Sequence, residues 1–365
     1  MKRALIITAV IVFIFFLAGA YFFYRAWYWF HATGGFRMPA EFKAAKVIAG
    51  GELFLKRPYF SGSGLGTVTD IENGSGGGMV IVGRDSATLL TANLSVAKTV
   101  LYQSCGSDVV LSRLRDNTFL CRGSWGAGVT LSASDGKQLW AYDNIMGIDD
   151  SAPGELSGRK VVVVGLNGSG GIRLLDSDGK ELWKQNDGNV WHVEIVEGEG
   201  ENVIVHSNAA GQLTVRDGAG KVLARFHPEI YFAHFSRTAW KDEPRQNELI
   251  AADKDFLYII SSRDGKTLAK LSAPQSIAIV AEAKGTPVKF SASAPFYAAL
   301  VRYPLWHRSI LLIYSAQDQL LYDEILDEDC GALHPVAAKG GQDLLVGCND
   351  RVWEYFVNKI NRKSN

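Results

Sequence analysis

The chain has 365 residues, enough for two ordinary domains or one large repetitive one. Lys plus Arg and Asp plus Glu both number 38, a zero net charge that argues against a basic nucleic-acid-binding face, so no nucleic-acid partner is expected. Abundant glycine (38), sparse proline (10) and nine tryptophans suit many short strands joined by tight turns.

At the N-terminus, Lys2 and Arg3 precede an uncharged run of 21 residues, Ala4–Tyr24, which matches the length of a bilayer-crossing helix. Tyr21, Tyr24, Trp27, Tyr28 and Trp29 cluster at its far end, where amphipathic rings favour the headgroup region. Residues 1–30 are therefore expected to be an N-terminal transmembrane signal anchor and 31–45 a juxtamembrane linker. A cleaved signal peptide, cut after Ala18-Gly19-Ala20, is the competing reading. The expected address is the cytoplasmic (inner) membrane, single-pass, with the bulk of the chain in the periplasm or outside the cell.

The rest is repetitive. "SDGKQLW" (Ser134–Trp140) and "SDGKELW" (Ser177–Trp183) are nearly identical, and "GAGKVL" (Gly218–Leu223) and "RDGKTL" (Arg263–Leu268) are looser copies. Their glycines at 136, 179, 220 and 265 are spaced by 43, 41 and 45 residues. Before each turn stand short apolar runs bounded by Gly, Asn, Asp or Ser, such as "VVVVG" then "GIRLLD" (161–176), or "ELIAAD" then "FLYIIS" (248–261). That is a strand signature, about four per period, which is the blade of a β-propeller.

Middle strands near Ile81, Val129, Ile172, Leu213, Leu257, Leu311 and Val352 give seven blades, six or eight being the alternatives, across residues 46–358. The last unit is one strand short, and "KVIAGGELFL" (Lys46–Leu55) is expected to complete it, so that both ends of the chain close the ring. The long interval after 265 places an insertion in "SIAIVAEAKGTPVKFSASAPF" (276–296), and residues 359–365 form a basic tail. "SGSGLG…NGSGGG" (61–78) reads as flexible hairpin loops, and each Asp-Gly pair as a tight primed hairpin turn.

Four cysteines occur without a C-x-x-C, so a zinc site is poorly supported. If each interval is an antiparallel hairpin, Cys105 faces Cys121 and Cys330 faces Cys348; two local disulfides are expected, with four buried thiols as the alternative.

The "DGK-x-L-W" turn after a strand resembles bacterial propeller repeats of the PQQ-like kind, and the longer unit Pro153–Trp183 resembles the FG-GAP/VCBS repeat. The resemblance implies a propeller that is usually extracytoplasmic and often a binding or scaffold module. Calcium-binding FG-GAP-like members carry an acidic loop between the first two strands. The matching loops here are poor in acids except for Glu197, Glu199 and Glu201, a weak calcium candidate. No other cofactor is carried over.

No Walker A, G-x-S-x-G or H-E-x-x-H motif is present, and the seven histidines show no metal-ligand spacing. "GIDD" (Gly147–Asp150), "NVWHVEI" (Asn189–Ile195) and "IYFAHFS" (Ile230–Ser236) read as innermost strands. They place Asp149, Asp150, Trp191, His192, Tyr231 and His234 at the mouth of a central channel, as ligand-binding candidates against the alternative of packing and satisfied polar groups. No catalytic residue is assigned. The leading expectation is a non-enzymatic scaffold or recognition module for an envelope protein or polysaccharide. An enzyme or cofactor-binding propeller using the channel mouth, and a calcium-stabilised adhesin- or sensor-like domain, are the alternatives.

Overall fold

The computed structural model describes residues 2–35, 46–48, 52–102, 108–123, 128–196, 201–208, 210–226, 234–240, 248–252, 256–273, 282–290, 295–303, 307–326 and 328–359. Helix α1, Lys2–Gly35, contains an apolar span, Ile6–Tyr24, long enough to cross a membrane and packed against nothing. It runs a few residues into the expected linker.

Seven antiparallel sheets follow, six of them with their strands in chain order from the centre outward: a seven-bladed β-propeller. Blades 1 to 6 span 68–101, 108–142, 148–185, 190–226, 236–272 and 282–326. Blade 7 takes three strands from 332–359 and its fourth, Glu52–Ser61, from the other end of the chain. That strand pairs with Arg351–Lys359 along its length, from Glu52 opposite Lys359 to Ser61 opposite Arg351. The closing strand thus lies further along than Lys46–Leu55, and Lys46–Ile48 adds a short fifth strand. Part of the expected insertion belongs to the ring: Glu282–Val288, inside it, is the innermost strand of blade 6.

The core is divided among the spaces between blades. Each of seven apolar clusters joins two neighbours, for example Val161, Val163, Ile172 and Leu174 of blade 3 with Val190, Val193 and Ile195 of blade 4. Middle strands are covered on both faces, so Val161–Leu166 of blade 3 is buried throughout and reads as an unbroken apolar run. Each fully buried Val or Leu contributes about 1.5–3 kcal/mol by leaving water.

Three of the four repeated turns, at Gly136, Gly179 and Gly220, share one geometry, and the turn at Gly265 is one residue longer. In "LLDSDGKELW", Gly179 N–H donates to the Asp176 carbonyl (3.0 Å), Asp176 N–H donates to the Lys180 carbonyl (2.9 Å), and the ladder shifts register beside Leu174 and Leu175. Gly179 has φ +78° and no other residue of the turn has positive φ. A primed two-residue turn needs positive φ at the first central position (type II′) or at both (type I′), and neither Ser177 nor Asp178 has it, so the expectation is corrected to a type I turn closed by a glycine bulge. The Asp176 carboxylate accepts from the amides of Asp178 and Lys180 (both 2.9 Å), and Asp178 pairs with Arg115. The two aspartates shape and tether a turn. The tryptophan ending each motif clasps the next turn: Trp140 Nε1 donates to the Ser177 carbonyl and Trp183 Nε1 to that of Gly218, both at 3.0 Å.

A disulfide joins Cys330 to Cys348 as expected. Cys121 is also disulfide-bonded, and its expected partner Cys105 lies outside the described residues. The Ser61–Gly66 segment is held in place, with Leu65 fully buried and the amides of Leu65 and Gly66 donating to Asp350 Oδ1 (2.8 and 2.9 Å).

Candidate functional site

The innermost strands of all seven blades surround a central cavity of about 500 Å³. In three blades the same position of that strand carries a bulge. The register shifts between Val68 and Asp70 in blade 1, Ile148 and Asp150 in blade 3, and Val190 and His192 in blade 4. A bulge re-aims the side chain that follows it. Here each such side chain reaches the next blade: Asp70 Oδ2 accepts from the Leu111 amide (3.2 Å), Asp150 Oδ2 from the Val193 amide (3.0 Å), and His192 Nε2 donates to the Phe235 carbonyl.

Asp150, His192 and His234 line the cavity. Asp149 and Trp191 are the bulge residues themselves, outside the cavity wall, and Trp191 is 36% exposed. Tyr231 lies outside the described residues, and the innermost strand of blade 5 begins later than expected, at Ser236.

Asp150 and His192 form the tightest polar unit. His192 Nδ1 pairs with Asp150 Oδ2, and Arg122 Nη1 sits 3.2 Å from Asp150 Oδ1 while donating to the Asp149 carbonyl. Both partners of the imidazole are acceptors, so both ring nitrogens carry protons. Burial works to lower the His192 pKa, but the adjoining Asp150 carboxylate outweighs it and holds the value at about 9. Burial likewise opposes ionisation of Asp150, and His192 and Arg122 override it, keeping the carboxyl well below the usual range. Asp149 is raised by burial, with Arg122 opposing and Asp150 assisting. His234, whose ring centroid is 5.8 Å from that of His192, is lowered by burial and by the neighbouring imidazolium. A histidine with both nitrogens engaged has neither a free proton acceptor nor a free ligand atom, so His192 is a cross-blade clamp.

Residues outside the sequence expectation complete the wall. Arg302 forks onto Asp329 (2.6 and 2.9 Å) and reaches Glu282 (3.0 Å), while Asp329 accepts from Thr67 (3.1 Å), linking blades 6, 7 and 1. Lys284 crosses in front of blade 7 to the Thr69 carbonyl (2.8 Å). Glu194 and Arg237 face the cavity from blades 4 and 5. One signal for them was available: Arg302 ends the otherwise apolar strand "FYAALVRY", and an arginine there needs a partner. Of the calcium candidates, Glu201 is exposed and Glu197 and Glu199 lie outside the described residues. Among the described residues no group of three His, Cys, Asp or Glu side chains is placed to hold a metal ion.

The family model described as outer membrane protein assembly factor BamB matches residues 60–280. The chain belongs to that family. Of the two repeat types it resembles, the PQQ-like one is therefore the one the match supports. Solved structures of similar shape include streptogramin B lyase, with TM-score 0.57 and 9% identity over 84% of this chain and 98% of that one. The WD40 propeller domain of Doa1 has TM-score 0.54 and 13% identity, covering 84% and 97% of the two chains. BamB from Moraxella catarrhalis has TM-score 0.48 and 16% identity, covering 80% and 84%. No curated protein matches in sequence. At these identities the solved structures speak only for the fold, so this BamB-family propeller takes neither lyase chemistry nor a partner from them.

Proposed function

We propose that this chain is a non-enzymatic, protein-binding scaffold of the cell envelope, held to the cytoplasmic membrane by α1 with the propeller on the periplasmic side. The observation that carries the reading is an exposed apolar patch on one face of the ring, above blades 3 and 4. Ile145 is fully exposed, and Met146 and Trp191 are 39% and 36% exposed. Their loops adjoin: Met146 packs over Gly168 and Gly170, and Gly171 lies against the Asn186–Gly188 segment that leads to Trp191. Exposed Ile, Met and Trp in contiguous loops suit an apolar protein surface better than a hydroxyl-rich polysaccharide. Membership of a family described as an outer membrane assembly factor supports a protein partner and an envelope location. The engagement of both His192 nitrogens speaks against the enzyme alternative.

A photoreactive residue at Ile145 or Trp191 in cells is expected to crosslink one and the same envelope protein, with Leu268 on the outer edge of blade 5 as the unlabelled control. Met146→Glu should abolish the crosslink at Ile145. Equal labelling at all three sites, or none at any, would sink the reading.

A further inference from the structure

Most charges in the cavity wall are spoken for. His192 and Arg122 share Asp150, and Glu282 and Asp329 share Arg302. Two are not. Glu194, from the innermost strand of blade 4, and Arg237, from that of blade 5, have no hydrogen bond or ion pair among the described residues. Each nevertheless lies within the other's electrostatic reach. On blade 6, Lys284 spends one N–H on the Thr69 carbonyl, and an ammonium has three. Successive inner strands therefore present one uncommitted carboxylate and then two cations with donors to spare.

That order selects a ligand. A purely anionic molecule held by Arg237 and Lys284 would meet Glu194, and a purely cationic one held by Glu194 would meet the two cations. A molecule with an ammonium and a carboxylate close together satisfies all three, since the carboxylate has oxygens for both cations and the ammonium answers Glu194. The cavity of about 500 Å³ lies within the size range of small-molecule sites. We infer that the central channel binds a small zwitterion of the α-amino acid or short-peptide class, with its ammonium at Glu194 and its carboxylate between Arg237 and Lys284. This site is separate from the apolar loops above blades 3 and 4, and neither proposal depends on the other.

The test is calorimetric titration of the full chain, purified in detergent, with L-alanine and L-alanyl-L-alanine. At least one of the two should bind. The derivatives of that ligand lacking one charge, the N-acetyl form and the C-terminal amide, should each bind at least about tenfold more weakly, because each strands a charged partner in the wall. Glucose should not bind. Glu194→Gln and Arg237→Gln should weaken the zwitterion by a similar factor while leaving the melting temperature of the free protein within a few degrees. If a variant does not fold, the derivatives still decide on the wild-type protein. Binding of neither zwitterion, equal binding of either single-charge derivative, or equal binding of glucose would overturn the inference.

Discussion

At the scale of single residues, the strongest electrostatic statement concerns Asp150 and His192. Asp150 lifts His192 from its ordinary 6.5 to about 9, so the stabilisation through His192 is fully present below about pH 6.5 and is lost as the pH rises through about 9. The Asp150 side runs the other way. Its depressed pKa stabilises the fold above the ordinary 3.8 and is lost only as the pH falls well below it. Asp150→Asn leaves a buried imidazole without its counter-ion, and the expected cost is about 3 kcal/mol near pH 6. By about pH 9.5 His192 is largely neutral in the wild-type protein as well, so the gap between the two should narrow. It should not close, because Arg122 and the Val193 amide still use Asp150. Urea unfolding at both pH values measures this, and a gap that does not change with pH would refute the ion-pair assignment.

At the scale of elements, two glycines separate backbone strain from packing. Gly158 and Gly179 both have positive φ (+74° and +78°), but an added methyl at Gly158 meets nothing within 4 Å, whereas at Gly179 it would lie 2.7 Å from the Trp140 ring. Gly158→Ala should therefore cost about 1 kcal/mol of backbone strain alone. Gly179→Ala should cost about 3 kcal/mol, since the tryptophan clasping the turn must also move. Equal costs in denaturant unfolding would mean that Trp140 does not seat on the turn as tightly as its hydrogen bond to Ser177 implies. The same contact explains why the architecture was legible in the sequence. Three turns present a glycine to an aromatic ring of the preceding blade, Gly179 to Trp140, Gly220 to Trp183 and Gly265 to Phe226, so glycine and an aromatic residue recur at the blade period and can be counted. The channel wall was only half legible. Asp150 and His192 stand on strands that alternation identifies, but a one-residue bulge decides which of Asp149 and Asp150, or of Trp191 and His192, turns inward. Nothing in local composition reveals that bulge. The partners are also remote in sequence: Asp150 meets residues of blades 2 and 4, and Lys284 reaches Thr69 across the channel.

At the scale of the whole molecule, the ring is closed by a strand from the N-terminal side of the chain, downstream of α1. Glu52–Ser61 completes blade 7, and its Phe54 is buried with ring centroids 4.7 Å from Tyr322 and 5.4 Å from Tyr355. The seam is fastened again where Asp350 receives the Leu65 and Gly66 amides and where Asp329, held by Arg302, accepts from Thr67. The proposed tether therefore enters at the outer edge of blade 7, while the apolar loops proposed to dock a partner stand above blades 3 and 4, on the opposite side of a seven-bladed ring. A partner seated there approaches from the side facing away from the chain's point of attachment. Two truncations test the seam. A chain starting at residue 46 keeps every strand of the ring and should be soluble, with one cooperative unfolding transition. A chain starting at residue 62 bares the Arg351–Lys359 strand as an open edge and empties the Phe54 site, so it should aggregate or melt lower by roughly 10 °C or more. If the shorter chain instead melted within a few degrees of the longer one, the closing strand would be an ornament on a ring already held by Asp350 and Asp329.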